Sequence, residues 1–398
     1  MWNGIVPAGT GTFLPVLMAR LGASGMMIGA LTSLPALISI LVSLPASAFV
    51  ERQHNHVRAT TLSRFLFRLA YVIVAFLPFF TLSQFSLIAV ILWGLQAIPM
   101  AVAVVAWTSV VGMIVPASRR ASINGSRWAL LSVIQGVCVA LFGKLLDVPW
   151  LPFPLNYQLV FFVSGVASLI GMLYFDRIRV PADCARPQPA GLSLRARMAD
   201  LIGPMVQYPP FIRYLLGTFL IRLGMALPTA LYSIFWVRTL HASDTVIGLR
   251  TTVGMGATVL GYFAFGRLAT RRGHRGALLL SSIGLGAYPL MTAFAPNEWW
   301  LLPAAFVWGV FTGGINIAFF EALFETTLPD RRPSFAALNA VFANLATFVG
   351  PLLGSLLLDA IGLTASFLTA TALHLIGAGL CWWMGVGRRS LVQPAVAG

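Results

Sequence analysis

Twelve stretches of this chain are each roughly twenty residues long and nearly free of charge, and that pattern settles the class of structure before any motif is considered. They run at about 2 to 18, 25 to 50, 59 to 80, 86 to 113, 127 to 147 and 157 to 176, and again at about 211 to 237, 245 to 267, 276 to 295, 299 to 324, 335 to 358 and 363 to 386. With 58% hydrophobic and 9% charged residues, the chain has too little polar surface to cover a water-soluble globule. Within lipid a backbone amide finds its partner only inside its own segment, so the stretches are helices. None alternates with the two-residue period of a membrane barrel strand. The expected fold is an all-α membrane protein with twelve transmembrane helices.

The first six spans and the last six are related. Leu21-x-Ala23-Ser24-x-x-x-Ile28-Gly29, entering the second span, reappears 219 residues later as Leu240-x-Ala242-Ser243-x-x-x-Ile247-Gly248, entering the eighth. Extended without a gap, the match sets Glu51-Arg52 opposite Thr270-Arg271; the offset then drifts to 212, with Arg119-Arg120 opposite Arg331-Arg332 and Asp147 opposite Asp359. Duplication implies two pseudo-symmetric six-helix bundles with a solute site between them. The expected units are an N-terminal bundle over 1–176, a linker over 177–210, a C-terminal bundle over 211–387 and a tail over 388–398. The first span is short: the same offset sets the start of the seventh about eight residues before Met1, so the natural chain is expected to begin upstream.

A net charge of +15 suggests nucleic acid until its distribution is examined. Twenty of the 26 Lys and Arg residues fall in every second connection, while the alternate connections hold only Arg20, Lys144 and Arg238 at their margins. This is the positive-inside pattern, which expects both termini and the linker in the cytoplasm and the protein in a plasma membrane of bacterial inner-membrane type. Nucleic acid is not an expected partner; membrane lipid is. The linker, with Pro181, Pro187, Pro189, Pro204, Pro209 and Pro210, is the one long polar segment, and residues 192–202 within it fit a short amphipathic helix. Cys138, Cys184 and Cys381 have no spacing that suggests a metal or a disulfide, Met1-Trp2-Asn3 lacks the basic start of a cleavable signal, and no cofactor motif is present.

The most specific stretch is Gly266-Arg267-Leu268-Ala269-Thr270-Arg271-Arg272-Gly273-His274-Arg275, after the eighth span. It resembles the loop signature G-x-L-a-D-R-x-G-R-[RK] of the major facilitator superfamily, with Thr270 at the acidic position. The equivalent first-half loop is more degraded, with Ser47 and His54 for the two glycines, yet Glu51 takes the acidic position and Arg52 follows it. The resemblance covers the whole chain. It implies that Glu51, Arg52, Arg271, Gly273 and Arg275 help lock the halves on the cytoplasmic side; the alternative is that the arginines only fix topology. A drug-exporter signature, G-x-x-x-G-P-x-x-G-G, is not matched in the fifth span, which has Gly136 and Gly143 and no proline; Gly350-Pro351-x-x-Gly354 occurs instead in its counterpart, the eleventh.

Polar groups inside a bilayer are costly and therefore candidates for the solute path. Arg222 lies about 11 residues into the seventh span, roughly 16 Å along the axis at 1.5 Å per residue, beyond easy reach of the interface. Its face continues through Ala226, Thr229, Ser233 and Trp236. A guanidinium there suits an anionic or carbonyl-rich solute; a buried structural pair is the other reading. The resemblance implies that the fourth and tenth spans help line a central cavity, which makes Gln96 and Trp107 on the fourth and Thr312 and Asn316 on the tenth candidate cavity residues, with Gln135 on the fifth able to join them; the alternative is interhelical packing and hydrogen-bond glue. Glu321 and Glu325 are the most embedded carboxylates. Five residues at about 100° each turn Glu321 about 140° from Asn316, so Glu321 is read either as a proton-coupling group or, with Glu325, as a gate paired with Arg119, Arg120 or Arg127. Arg250 is expected near the outer surface on a close-packing face with Gly254, Ala257 and Gly261, Arg64 and Arg68 snorkelling to the interface, and His374 in peripheral packing.

These features point to a secondary active transporter of a small organic solute, functioning as a monomer by alternating access, with a proton or ion as a candidate co-transported partner. A proton-driven drug or metabolite exporter is the nearer alternative. A membrane enzyme or non-transporting sensor is the farther one, and the paired Asp, His or Cys groups that membrane enzymes set at the interface are missing.

Overall fold

The computed structural model describes residues 2–51, 56–114, 117–175, 208–327 and 332–387, which are helical with no strand among them. Arg52, the linker over 177–207 and the tail over 388–398 lie outside the described residues, as do the side chains of Glu51 and Arg120. Among the described residues nine stretches are long and apolar enough to cross a bilayer, and one of them, Phe335–Trp383, passes twice by reversing at Gly362. Residues 2–20 and the helix Ala117–Leu146 complete the twelve crossings of two six-helix bundles.

The reversals are written in glycine. Spans 8 and 9 form one run, Asp244–Ala293, that turns back at Gly273 with φ 80 and ψ 164; spans 11 and 12 form Arg332–Trp383, which turns back at Gly362 with φ 80 and ψ 174. Only a residue without a Cβ holds that backbone at low cost. Two spans are interrupted in mid-course. Span 4 breaks at Gln96 between Phe85–Leu95 and Ala97–Ile114. Span 7 breaks at Leu227 and Pro228 between Pro209–Ala226 and Thr229–Ile234, then ends in a wider π turn over Phe235–Thr239. Pro228 has no N–H to continue the ladder, so the helix is interrupted there and restarts at Thr229.

The connections at 21–24, 81–84, 147–154, 239–243 and 294–297 share one end of the molecule with Gly362; we call it the distal end. One apolar core there unites the bundles, with Phe13, Leu17, Tyr157 and Phe161 from the first half beside Tyr232, Trp236, Ile247 and Phe367 from the second. A second core, around Phe211, Tyr214, Phe319 and Phe335, belongs to the second half. On the flanks Phe79, Phe80, Phe263 and Trp383 remain exposed, an apolar belt that lipid satisfies and water does not.

Candidate functional site

The duplicated segments meet at the distal end. In each copy the serine caps its helix: Ser24 Oγ accepts from Met27 N, and Ser243 Oγ accepts from Val246 N, both at 3.3 Å. In each copy the alanine carbonyl accepts from an arginine of the other half, Ala242 from Arg20 and Ala23 from Arg238, and Arg238 Nε also donates to Ala19 at 3.1 Å. In each copy the glycine admits the partner bundle. A Cβ on Gly29 would lie 3.1 Å from the Pro351 side chain of span 11, and one on Gly248 would lie 2.7 Å from the Val139 carbonyl of span 5. The repeat is thus the inter-half contact itself.

Charge is concentrated on the second-half copy. Arg20 pairs with Asp244 at 3.0 Å and donates to Tyr157, whose hydroxyl lies 2.7 Å from both Asp244 carboxylate oxygens. Asp147 accepts from the backbone N of Asp244 at 3.1 Å and of Thr245 at 2.7 Å, and Glu298 accepts from Ser243 N at 2.7 Å. Acidic groups thus gather on the amide-rich start of span 8, where the helix dipole favours them. The Arg20–Asp244 and Asp147 contacts cross between halves, so they persist only while the distal end is shut.

Below this clamp lies a cavity of about 430 Å³. Span 7 supplies Arg222, Ala226, Thr229, Tyr232 and Trp236 to its wall, and the second half supplies nearly all the rest, Thr32 being the one first-half residue among the described residues. Arg222 rests 4.3 Å over the Phe319 ring and donates to Asn339 Oδ1 at 3.3 Å, which also accepts from Tyr214 at 3.2 Å. Arg250 is buried, 4.2 Å over the Trp236 ring, with Tyr288 at 5.5 Å and Trp308 at 5.7 Å, and it donates to the Tyr288 hydroxyl. Asn316 is exposed in the wall and donates to Tyr262 at 3.1 Å. Span 11 reaches this wall because a Cβ on Gly350 or Gly354 would collide with Ala226 or Leu227 at the break of span 7. Two cationic heads set among aromatic faces and amides can hold an organic solute, chiefly through second-half groups.

The family model of the Major Facilitator Superfamily matches residues 3–212 and 214–396. The chain belongs to that superfamily. It is accordingly a multi-pass membrane protein of a superfamily of transporters. Over 110 residues, 27% of this chain and 27% of the relative, it is 33% identical to a multi-drug resistance efflux pump PmrA homolog of Lactococcus lactis subsp. lactis. Over 104 residues, 26% of this chain and 25% of the relative, it is 35% identical to the multidrug resistance protein MdtG of Serratia proteamaculans. The chain thus spans about a quarter of the length of the curated relatives it matches. Among solved structures, the nucleoside transporter NupG superposes with a TM-score of 0.73 at 11% identity over 96% of this chain and 97% of that one. A bacterial homologue of the human lysosomal transporter Spinster, in an inward-facing and occupied conformation, gives 0.68 at 16% identity over 97% and 94%. Likeness at these identities carries the fold alone.

The superfamily's loop signature has a structural reading here. Gly273 makes the reversal, Thr270 donates to the Arg267 carbonyl at 2.8 Å, and Arg275 Nη2 donates to the Trp382 carbonyl at 2.7 Å, tying the loop to the end of span 12; Arg271 is exposed. Glu325 faces His274 of the same loop at 3.7 Å, and Glu321 is half-buried.

Of the residues singled out from sequence, Arg222 and Asn316 share the cavity wall. Thr312 sits one turn before Asn316 with its hydroxyl buried. Ser233 is buried beside the wall, which Tyr232 lines instead, on the stripe that runs through Arg222, Met225, Thr229 and Trp236. Gln96 is buried at the break of span 4. Trp107 lies between two guanidinium groups, 4.8 Å from Arg64 and 5.3 Å from Arg127, and Gln135 is half-buried on span 5; the described cavity wall includes none of these three. Arg119 is exposed.

Three expectations change. Arg250 lines the cavity: the small residues after it do pack closely, a Cβ on Gly254 lying 3.0 Å from the Trp308 ring, and that contact brings Trp308 alongside Arg250. His374 is also in the wall, buried, and its carbonyl accepts from Ser282 at 3.1 Å. Arg68 does not reach the interface but is buried, donating to the Ser168 carbonyl of span 6. Tyr232, Tyr288 and Asn339 were not singled out at all; aromatic residues in an apolar run carry no signal until a neighbouring span brings a cation against them.

Proposed function

We propose that this transporter is secondary active, moves a small organic solute by alternating access, and accepts solutes that are anionic or carbonyl-rich. The carrying observation is that Arg222 and Arg250 share one cavity wall and that, among the described residues, neither is paired with a carboxylate. An arginine in lipid without an acid is costly, and a solute oxyanion offsets that cost when bound. The bundles correspond to 1–176 and 211–387, joined by the 177–210 linker and followed by the 388–398 tail. The arginine-rich connections and both termini face the cytoplasm of a bacterial-type inner membrane, so the distal clamp closes the outward side. Gln96, Trp107, Gln135, Thr312 and Ser233 then act by shaping the walls as the halves rock. Glu51, Arg52, Arg119, Arg120, Arg127, Arg271, Gly273 and Arg275 act at the cytoplasmic closure, and one chain is the working unit.

The test is a thermal-shift screen of the purified protein against carboxylates, phosphates, sugars, amino acids and hydrophobic cations, followed by liposome flux of each stabilising solute. Anions or carbonyl-rich solutes are expected to stabilise and to be carried, and Arg222→Ala is expected to abolish flux while leaving folded yield intact. A screen answered by cations alone, or unchanged kinetics in Arg222→Ala, defeats the reading. A second reading, proton-coupled drug or metabolite export, draws on the efflux and multidrug-resistance names of the relatives. There Glu321 is the coupling carboxylate, and Glu321→Gln should uncouple flux from an imposed pH gradient; preserved pH-driven transport removes it from that role.

A further inference from the structure

Three residues of the cavity wall each bury a nitrogen that has no hydrogen-bond partner among the described residues: Arg250 its Nε, Trp236 its Nε1 and His374 its Nδ1. Two of them are donors by covalent structure. Arginine Nε and indole Nε1 each carry a hydrogen and neither can accept, so no change of tautomer removes the unmatched hydrogen. They are also neighbours, since the Arg250 guanidinium carbon lies 4.2 Å over the Trp236 ring. Arg250 is 9% exposed and Trp236 7%, so water reaches neither freely. An unmatched buried donor costs about 1 to 3 kcal/mol, more when it is charged, and folded proteins leave few of them. Two side by side on one cavity wall call for an acceptor from outside the chain.

The surroundings describe that acceptor. Arg250 gives one Nη to the Tyr288 hydroxyl and is flanked by the Trp308 ring at 5.7 Å. Tyr232 stacks on Trp236 with an interplanar angle of 15°, and Tyr288 lies 4.6 Å from Tyr232. The wall is therefore a cationic donor set in an aromatic frame, continuing over Pro289, Leu285 and Met225. A group that fits carries a compact oxyanion on a flat, apolar body. A strongly hydrated phosphate ester with a sugar lacks enough polar partners for its hydroxyls here.

We propose that Arg250 and Trp236 form the anion-recognition end of the cavity, and that the preferred solute is an aryl carboxylate or similarly flat apolar acid whose carboxylate takes their two unmatched N–H donors. This rests on the cavity being the solute site, as in the functional reading above, and adds the recognising residues and the solute class. Arg222, on the other side of the break in span 7, then contacts the solute body or a second acceptor; it does not select the carboxylate.

The experiment uses the full-length protein in detergent and in liposomes. Binding is followed by quenching of tryptophan fluorescence with three matched probes: 2-naphthoate, its neutral amide, and naphthyl phosphate. The wild type is expected to bind the carboxylate about ten-fold or more tightly than the amide, the loss of one charge-assisted hydrogen-bonded group. Arg250→Gln should erase that preference while retaining amide binding, and Arg250→Lys should restore it only in part, because an ammonium cannot match the planar fork. Trp236→Phe, which keeps the ring and removes one donor, should weaken carboxylate binding with smaller effect on the amide; because its fluorescence differs, it is read by calorimetry. If Arg250→Gln fails to fold, the Trp236→Phe arm and the wild-type carboxylate-to-amide ratio still decide. Equal binding of carboxylate and amide by the wild type, or an undiminished preference in folded Arg250→Gln, overturns the proposal; tighter binding of the phosphate overturns the solute class. Liposome flux separates this from the broader reading: anions carried with unchanged affinity by Arg250→Gln sink the recognition role alone, whereas a wild type that carries no anion sinks the functional reading.

Discussion

Removing the Asp244 carboxylate should release the distal clamp, and the geometry sets how far. In Asp244→Ala, Arg20 loses its 3.0 Å ion pair and Tyr157 loses both 2.7 Å contacts. Arg20 keeps its bonds to Tyr157 and to the Ala242 carbonyl, and its side chain is 28% exposed against 4% for Asp244, so water compensates part of the loss. Breaking a fully buried pair costs about 3 to 5 kcal/mol; solvent access on the arginine side brings the expected cost to about 2 kcal/mol. That is roughly a thirty-fold change in the ratio of distally closed to distally open molecules. A protein closed about ten to one would become open about three to one. The assay is a spin-label distance measurement in liposomes between Ser83 and Pro296, both exposed in distal connections of opposite halves. A longer-distance population should grow in Asp244→Ala and in Arg20→Ala. The double variant should open by less than the two single effects added together, because both remove the Arg20–Asp244 pair, while Arg20→Ala alone also removes the bond to the Ala242 carbonyl and Asp244→Ala alone the Tyr157 contacts. An unchanged distribution in a folded Asp244→Ala would mean that apolar packing alone shuts this end, and the clamp argument would be refuted.

Other outcomes follow from single contacts. Gly248→Val would drive a Cβ to 2.7 Å from the Val139 carbonyl, so distal closure and flux should both fail while the separate bundles stay folded, as seen in the same distance assay and by thermal melting. Gly273→Ala meets open space, so only backbone strain of about 1 to 3 kcal/mol should appear, lowering the melting temperature with little change in solute affinity. Asn339→Leu leaves the Arg222 donor without its acceptor, while the Tyr214 hydroxyl keeps the Phe319 carbonyl at 3.2 Å, and should cost about 1 to 3 kcal/mol of stability, together with a rise in the KM of any carried anion.

How much of this was written in the sequence depends on whether a feature belongs to one helix or to several. The twelve spans and their pairing by duplication are local, because each span's hydropathy and each serine cap act within a few residues. Arg222 was legible for the same reason: a lone cation deep in an apolar run is anomalous on its own span, and it does line the cavity. Arg250 gave the opposite impression. It stands near the start of span 8 with glycines after it, and nothing along that helix announces Trp236, Tyr288 and Trp308, which arrive from spans 7, 9 and 10.

The repeated segment shows both limits at once. Its recurrence identified the duplication, yet what the two copies do appears only when they face each other. Ala23 and Ala242 matter through carbonyls, which any residue possesses, and Gly29 and Gly248 matter through side chains they lack. Sequence records side chains, whereas this interface is made largely of backbone and of space. The acidic cluster broke the symmetry. Asp147 accepts from the start of span 8, while its counterpart Asp359 is exposed beside Gly362. One copy of the contact is therefore held by charges that separation exposes to water, and the other by packing and the arginine-to-carbonyl bonds. If opening begins at the charged copy, spans 5 and 8 should part before spans 2 and 11. Label pairs across each contact, followed during solute-driven opening, should then lengthen in that order; simultaneous or reversed lengthening would show that the charges do not set the sequence of events.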